Sequence, residues 1–264
     1  MINTPPQNII LVDKPKGITS FDVIRILRKK LGIRKMGHAG TLDPLASGLM
    51  IIGINDGTKK MTDFLKLPKT YIADILLGKR SETGDMEGKI VEEKSASHII
   101  TDKMIRTAVD GFSGKHSLPV PMYSAIKVGG QPLYAIARKL EAGKNLTKKE
   151  SDAIPPIKEM EVLSVKLLHV RRGGVVPRSE MFGKIIENSE IKTFRTGSET
   201  RSGDGCCIIM TVEMRVSSGS YIRTLAEEFG SRLGVPAMLA DLRRTEIGGY
   251  SIKNAITLDA DSLS

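Results

Sequence analysis

Gly37 to Met50 reads GHAGTLDPLASGLM. Up to Ser47 the residues are mostly small or turn-forming. From Gly48 the run GLMIIGI is apolar over the length of one strand. A short apolar run bounded by turn residues reads as a buried strand. Asp43 therefore falls between a tight turn and a strand. An Asp-Pro pair commonly caps a turn, but the setting here adds more. Gly37, Gly40 and Gly48, with Ala39, Ala46 and Ser47, leave room for close approach of a ligand or another backbone. Pro44 stiffens the turn. A carboxylate fixed beside an opening is what a nucleophile or general base requires.

Working outward, NIILV (8–12) reads as a short buried strand broken by DKPKG. TSFDVIRILRKKLG reads as a helix, with Thr19 as N-cap, Asp22 completing a capping box, and Gly32 as stop. Its apolar face is expected through Phe21, Ile24, Leu27 and Leu31. After the Asp43 loop, KTYIADILLG is a second strand, and KRSETGDMEGKIVEE is expected to be a long turn feeding a third. TDKMIRTAVDGFSG is helix-like. EVLSVKLLHV alternates through Leu163, Val165 and Leu167, and IIMTVEMRVSSG through Met210, Val212, Met214 and Val216, with a period of two. YIRTLAEEFGSRLG returns to helix, with Ile222, Leu225, Phe229 and Leu233 in register. Strands outnumber helices and connections vary in length. That predicts a mixed α/β fold of the α+β type, with a largely antiparallel sheet and flanking helices.

The chain has 264 residues, 40% hydrophobic and 27% charged, as in ordinary globular proteins. No apolar run approaches the roughly 20 residues of a membrane span, and the N-terminus lacks a signal-peptide pattern. A cytoplasmic protein is the default expectation. Cys206 and Cys207 are adjacent, where disulfide geometry is poor, so burial is expected. The four histidines show no metal-ligand spacing, and no metal is expected. The net charge of +10 suggests a polyanionic partner. Two polar stretches read as loops. One is KLEAGKNLTKKESDAIPP. The other, Arg171 to Gly205, carries seven Lys or Arg against five Asp or Glu.

GHAGTLDPLASGLM resembles the catalytic motif of the TruB family, bacterial enzymes that convert uridine 55 of the tRNA T loop to pseudouridine. LVDKPKGITSFDVI, KTYIADILLGKRSETGDMEG, PMYSAIKVGGQPLYAIAR, VSSGSYIRTLAEEFGSRLG and LRRTEIGGYSI resemble further segments of that family, in the same order. The resemblance implies a pseudouridine synthase fold, with Asp43 as catalytic residue. It implies that Tyr71 stacks on the target base, Arg223 pairs with Asp43, and Leu242 packs against the base or the aspartate. It further implies that Lys14 supports the pocket, His38 enters the T loop, and Asp85 hydrogen-bonds near the base.

These residue types suit the chemistry. The uracil must leave its stack to be reached, and an aromatic face recovers about 1–3 kcal/mol of lost stacking. A buried aspartate tends to take up a proton, and a permanently charged guanidinium opposes that. Asp43 could bond to the ribose, add to the base, or remove a sugar proton. The reaction is neither redox nor hydrolytic, so no cofactor is expected.

The resemblance also implies one catalytic domain over 1–264. Insertions are expected at about 119–156, as a clamp over the T arm, and at 171–205, as a long loop. A C-terminal PUA module is not expected, since the chain ends about a dozen residues past GGYSI. The implied partner is the T arm of tRNA, bound by a monomer without membrane or protein partners. An RNA-folding chaperone using the same surface, and a pseudouridylase acting on another RNA, remain as alternatives. The Asp43, Tyr71 and Arg223 set argues against the first. A metal-dependent deaminase would need a Cys/His pattern that this sequence lacks.

Overall fold

In order along the chain the strands are β1 (Ile9–Lys14), β2 (Met36–His38), β3 (Ser47–Ile54), β4 (Lys69–Leu77), β5 (Lys79–Ser81), β6 (Ile90–Glu93) and β7 (Gly114–Pro119). They continue with β8 (Lys127–Val128), β9 (Gln131–Pro132), β10 (Ile157–Arg172), β11 (Ile208–Val216), β12 (Ala237–Ile247), β13 (Tyr250–Ser251) and β14 (Ile256–Thr257). The helices are α1 (Ser20–Leu31), α2 (Met61–Lys66), α3 (Asp102–Asp110), α4 (Leu133–Glu141) and α5 (Ile222–Leu233). This computed structural model describes residues 5–96, 99–143, 145–148, 154–173 and 207–258. No helix among them is long and apolar enough to cross a membrane.

One sheet runs β14-β1-β3-β12-β4-β11-β10-β7, with β2 on β3 and β13 on β12. β1/β14 and β3/β12 pair in parallel. The other pairings along that order are antiparallel, as the varied connections predicted. α1, α3 and α5 bury their apolar faces against one side of the sheet. α2 supports the other side over β1 and β3 through Met61 and Phe64. β3 is thus buried on both faces along its whole length, which is why its sequence is continuously apolar rather than alternating.

Local signals placed α1 correctly. Thr19 and Asp22 form the reciprocal capping box, and Gly32 ends the helix in the left-handed region. Its apolar face differs from expectation. Val23, Ile24 and Leu27 are buried, while Phe21 and Leu31 are exposed. The stripe that meets the sheet is one residue off the assumed i, i+3 line, and Ser20 replaces Phe21 at the buried first turn. KRSETGDMEGKIVEE is a hairpin of two strands, β5 and β6, rather than a long turn feeding one. The 119–156 stretch includes the hairpin β8–β9 and α4, whose end takes in the first residues of KLEAGKNLTKKESDAIPP.

In β10 the expected alternation fails at Leu163, which is exposed. Register shifts fall at Val162/Ser164 and at Leu167/His169. Each bulge inserts one residue and flips the side-chain phase, so the core face runs through Met160 and Val162, then Val165 and Leu167, then Val170. β11 alternates as expected, with Met210, Val212, Met214 and Val216 in the core. Cys207 packs partly buried against Leu76, Ile209, Met238 and Ala240. Cys206 and the Gly174–Gly205 part of the expected long loop lie outside the described residues.

Candidate active site

The loop between β2 and β3 is tied down at several points, and this is what presents Asp43. The Ser20 hydroxyl at the start of α1 donates to the Leu42 carbonyl (3.0 Å) and accepts from the Leu42 amide (2.8 Å). The Gly17 amide donates to the Pro44 carbonyl at 2.8 Å, and the Ala46 amide to the Asp43 carbonyl at 3.1 Å. Leu42, Leu45 and Ala46 are buried on either side. With its neighbours anchored inward, the Asp43 side chain stays 40% exposed.

Arg223 lies in the first turn of α5, and its side chain is only 7% exposed. Its Nη1 donates to the Thr83 carbonyl at 2.9 Å and its Nη2 to the Tyr123 carbonyl at 2.8 Å. Those two bonds aim the remaining edge at carboxylates. Nε lies 3.1 Å from Asp43 Oδ2 and 3.8 Å from Asp85 Oδ2. A guanidinium held this way keeps its charge and direction without moving.

Asp85 is buried in the β5–β6 turn. Its carboxylate accepts from the Thr83 hydroxyl at 2.5 Å and the Glu87 amide at 3.0 Å, an Asx-type closure. Desolvation raises its pKa, while Thr83 and Arg223 oppose the rise. Glu87 is also raised, first by burial and then by the charges of Asp85 and Asp43.

Lys14, at the end of β1, is fully buried. Its Nζ donates to the carbonyls of Pro15 (2.9 Å), Ile18 (2.8 Å) and Pro44 (3.5 Å). Desolvation pulls its pKa down to about 8, against the field of Asp43. The lysine thus staples the residue after Asp43 to β1.

Tyr71 and Leu242 are buried in the same core cluster as Leu42 and Ala46, which bracket Asp43. They sit on adjacent strands, with Tyr71 opposite Arg244 and Leu242 opposite Ala73. A register shift at Leu239/Asp241 in β12 makes this possible. Ala237 and Leu239 face the core before it, Leu242 after it. Without the bulge, Leu242 would point to the other side of the sheet.

His38 closes β2 opposite Ile52. Burial lowers its pKa, and so does the charge of Arg244. Its Nδ1 is buried without a hydrogen-bond partner. Asp43, Arg223 and Asp85 are therefore brought into direct ionic contact, and Lys14 joins them through the loop backbone. Tyr71 and Leu242 join through the core. His38 makes no ion pair or hydrogen bond to these groups among the described residues.

Four participants were not legible in the sequence. Thr83 and Tyr123 act through backbone carbonyls, which carry no residue signature. Tyr221, the residue before α5, is raised in pKa by burial and feels the charges of Arg223 and Asp43. It stood inside the quoted SYIRT stretch. Arg244 is the largest fully buried side chain among the described residues. Its Nε donates to the Leu49 carbonyl at 2.7 Å and its Nη2 to the Gly40 carbonyl at 3.0 Å, so one guanidinium joins both ends of the Asp43 loop. β12 approaches β3 so closely here that a Cβ on Gly48, whose φ is +115°, would lie 2.3 Å from the Arg244 carbonyl oxygen. Only glycine fits.

The mixed sheet thus presents a partly exposed aspartate to a buried arginine, beside a core that contains Tyr71 and Leu242. A family model described as the N-terminal domain of TruB family pseudouridylate synthases matches residues 28–172. A protein named tRNA pseudouridine synthase B from Oenococcus oeni is 37% identical over 253 residues, 96% of this chain and 72% of its own length. One of the same name from Desulfotalea psychrophila is 36% identical over 257 residues, 97% of this chain and 87% of its own. The chain belongs to the TruB family and is a pseudouridine synthase.

Solved structures share the fold. A Cbf5-Nop10-Gar1 complex matches with a TM-score of 0.59 at 22% identity, over 97% of this chain and 59% of that one. An H/ACA RNP bound to a substrate RNA containing 2'-deoxyuridine matches with a TM-score of 0.56 at 21% identity, over 94% and 50%. The chain spans about half to three-fifths of those chains.

Proposed function

We propose that this chain isomerises uridine 55 in the T loop of tRNA, acting as a monomer in the cytoplasm. The observation that carries the reading is the Asp43 carboxylate, partly exposed and 3.1 Å from a guanidinium that is itself buried and fixed. In the reaction the bond from ribose C1′ to uracil N1 breaks, the base turns, and C1′ bonds to C5. The C5 proton is lost and N1 regains one, so no oxidant or hydrolytic water is consumed.

Asp43 is the catalytic group, acting on the sugar or base of the extruded nucleotide. Arg223 holds it ionised and pointed outward. Asp85 shares the guanidinium and supplies polar contact near the base. Tyr71 and Leu242 form the surface the uracil lies against, which offsets part of the unstacking cost. Lys14 keeps the loop in place, and His38 enters the T loop beside the vacated position. The 119–156 segment, with α4 and the β8–β9 hairpin, closes over the T arm.

The test is to incubate the pure chain with unmodified tRNA and with a T-arm hairpin, then map every uridine by mass. Pseudouridine at the single T-loop position is expected in both. Product at another position, or none, overturns the reading.

A further inference from the structure

The positive charge of the chain is concentrated in one place. Residues 20–36 and 55–60 hold eight Lys or Arg against two Asp, which accounts for six of the ten net charges in 23 residues. The fold brings the two segments together. β2 pairs with β3 from Met36↔Ile54, and the Asn55 amide donates to the Lys35 carbonyl at 2.9 Å. The Asn55–Lys60 turn of 3-10 helix therefore lies beside the start of β2, which itself follows and contacts α1.

The two acids are already used. Asp22 pairs with Arg25, and Asp56 with Lys59 at 2.8 Å. Lys29, Arg34, Lys35 and Lys60 are exposed, with no ion pair among the described residues. Several cations elsewhere are matched by an acid, as in Lys79–Glu93, Arg80–Glu92 and Lys115–Glu159. Unmatched like charges held together repel one another, so the patch stores a preference for an anion. Its place is defined by α1. Ser20 at one end grips Leu42 beside Asp43, and ten residues of helix put Lys30 about 15 Å away.

We propose that this face binds backbone phosphates of the substrate RNA flanking the target nucleotide. This rests on the reading of the chain as an RNA uridine isomerase. Phosphate contacts carry no sequence information and add salt-sensitive affinity, and here they raise the affinity for RNA without touching the reacting atoms.

The test compares wild type, the quadruple variant K29Q/R34Q/K35Q/K60Q and a control, K103Q/R106Q on exposed α3, using full-length tRNA transcript across a salt series. The quadruple variant is expected to bind at least about tenfold more weakly at low salt, with a log–log salt slope shallower by about 3 to 4. Its single-turnover rate constant at saturating RNA should be unchanged, and the control should lose far less per charge. An unchanged affinity and slope, or equal loss per charge in the control, overturns the proposal. Should wild type bind RNA through this face yet make no pseudouridine, the isomerase reading fails and the surface stands.

Discussion

Arg223 and Arg244 are both nearly excluded from solvent, at 6% and 1% exposure, and both hold the loop that carries Asp43. They do so in opposite ways. Arg223 bonds two carbonyls from distant segments and leaves Nε to two carboxylates. Its charge is matched and its direction is set. Arg244 has no carboxylate partner among the described residues, and bonds the carbonyls of Gly40 and Leu49 instead. It carries an uncompensated buried charge, which is costly, and spends it on backbone. One arginine serves the chemistry of the loop, the other its position. Lys69 adds to the second environment. It is buried, bonded to the carbonyls of Leu65 and Leu67, and held down to about pKa 8 by burial and by the charge of Arg244.

Asp43→Asn is the sharpest way to break the contrast, because it removes what Arg223 faces and leaves the ties of Arg244 intact. Single-turnover pseudouridine formation should fall at least about 10³-fold, with RNA affinity and the unfolding midpoint nearly unchanged. Retained turnover would remove Asp43 from the mechanism. Arg223→Lys comes next. An ammonium cannot serve Thr83, Tyr123 and two carboxylates at once, so turnover should drop about 10²-fold. A loss confined to KM would mean that Arg223 binds RNA rather than orienting Asp43.

Arg244→Met should act through stability. It strands two buried carbonyls, each costing about 1–3 kcal/mol, partly offset by removal of a buried charge. A net loss of about 2 kcal/mol in urea unfolding is expected. No change in unfolding would show that the loop ends hold without it.

The smallest effect is on pH dependence. Lys14 sits at about 8 in the folded protein, against 10.5 as its ordinary value. Between those values the unfolded chain binds more protons than the native one, so native stability rises with pH across that window. Unfolding free energy of wild type minus Lys14→Met should climb from about pH 8 to 10.5. A flat difference would mean that the buried ammonium is not under strain from desolvation.

Much of this was legible in residue order. The capping box of α1, the continuous apolar run of β3 and the alternation of β11 are near-neighbour patterns, and each appears where the sequence put it. Asp43 was legible because a turn-forming run meets a buried strand around it. Leu163 was misread because a bulge is invisible to periodicity. The same device in β12 turns Leu242 toward the core, a placement that spacing could not derive. The face of α1 was missed by one residue because burial depends on the partner surface, not on the helix alone.

The sequence by itself determined the helices α1, α3 and α5, the strands β1, β3, β4, β10 and β11, and that an aspartate would stand at a rigid turn, since these depend on interactions between residues a few positions apart. Only the tertiary structure decided that Arg223 points at that aspartate. The carbonyls that aim it belong to residues 100 and 140 positions away, and a backbone oxygen has no letter in the sequence to announce it.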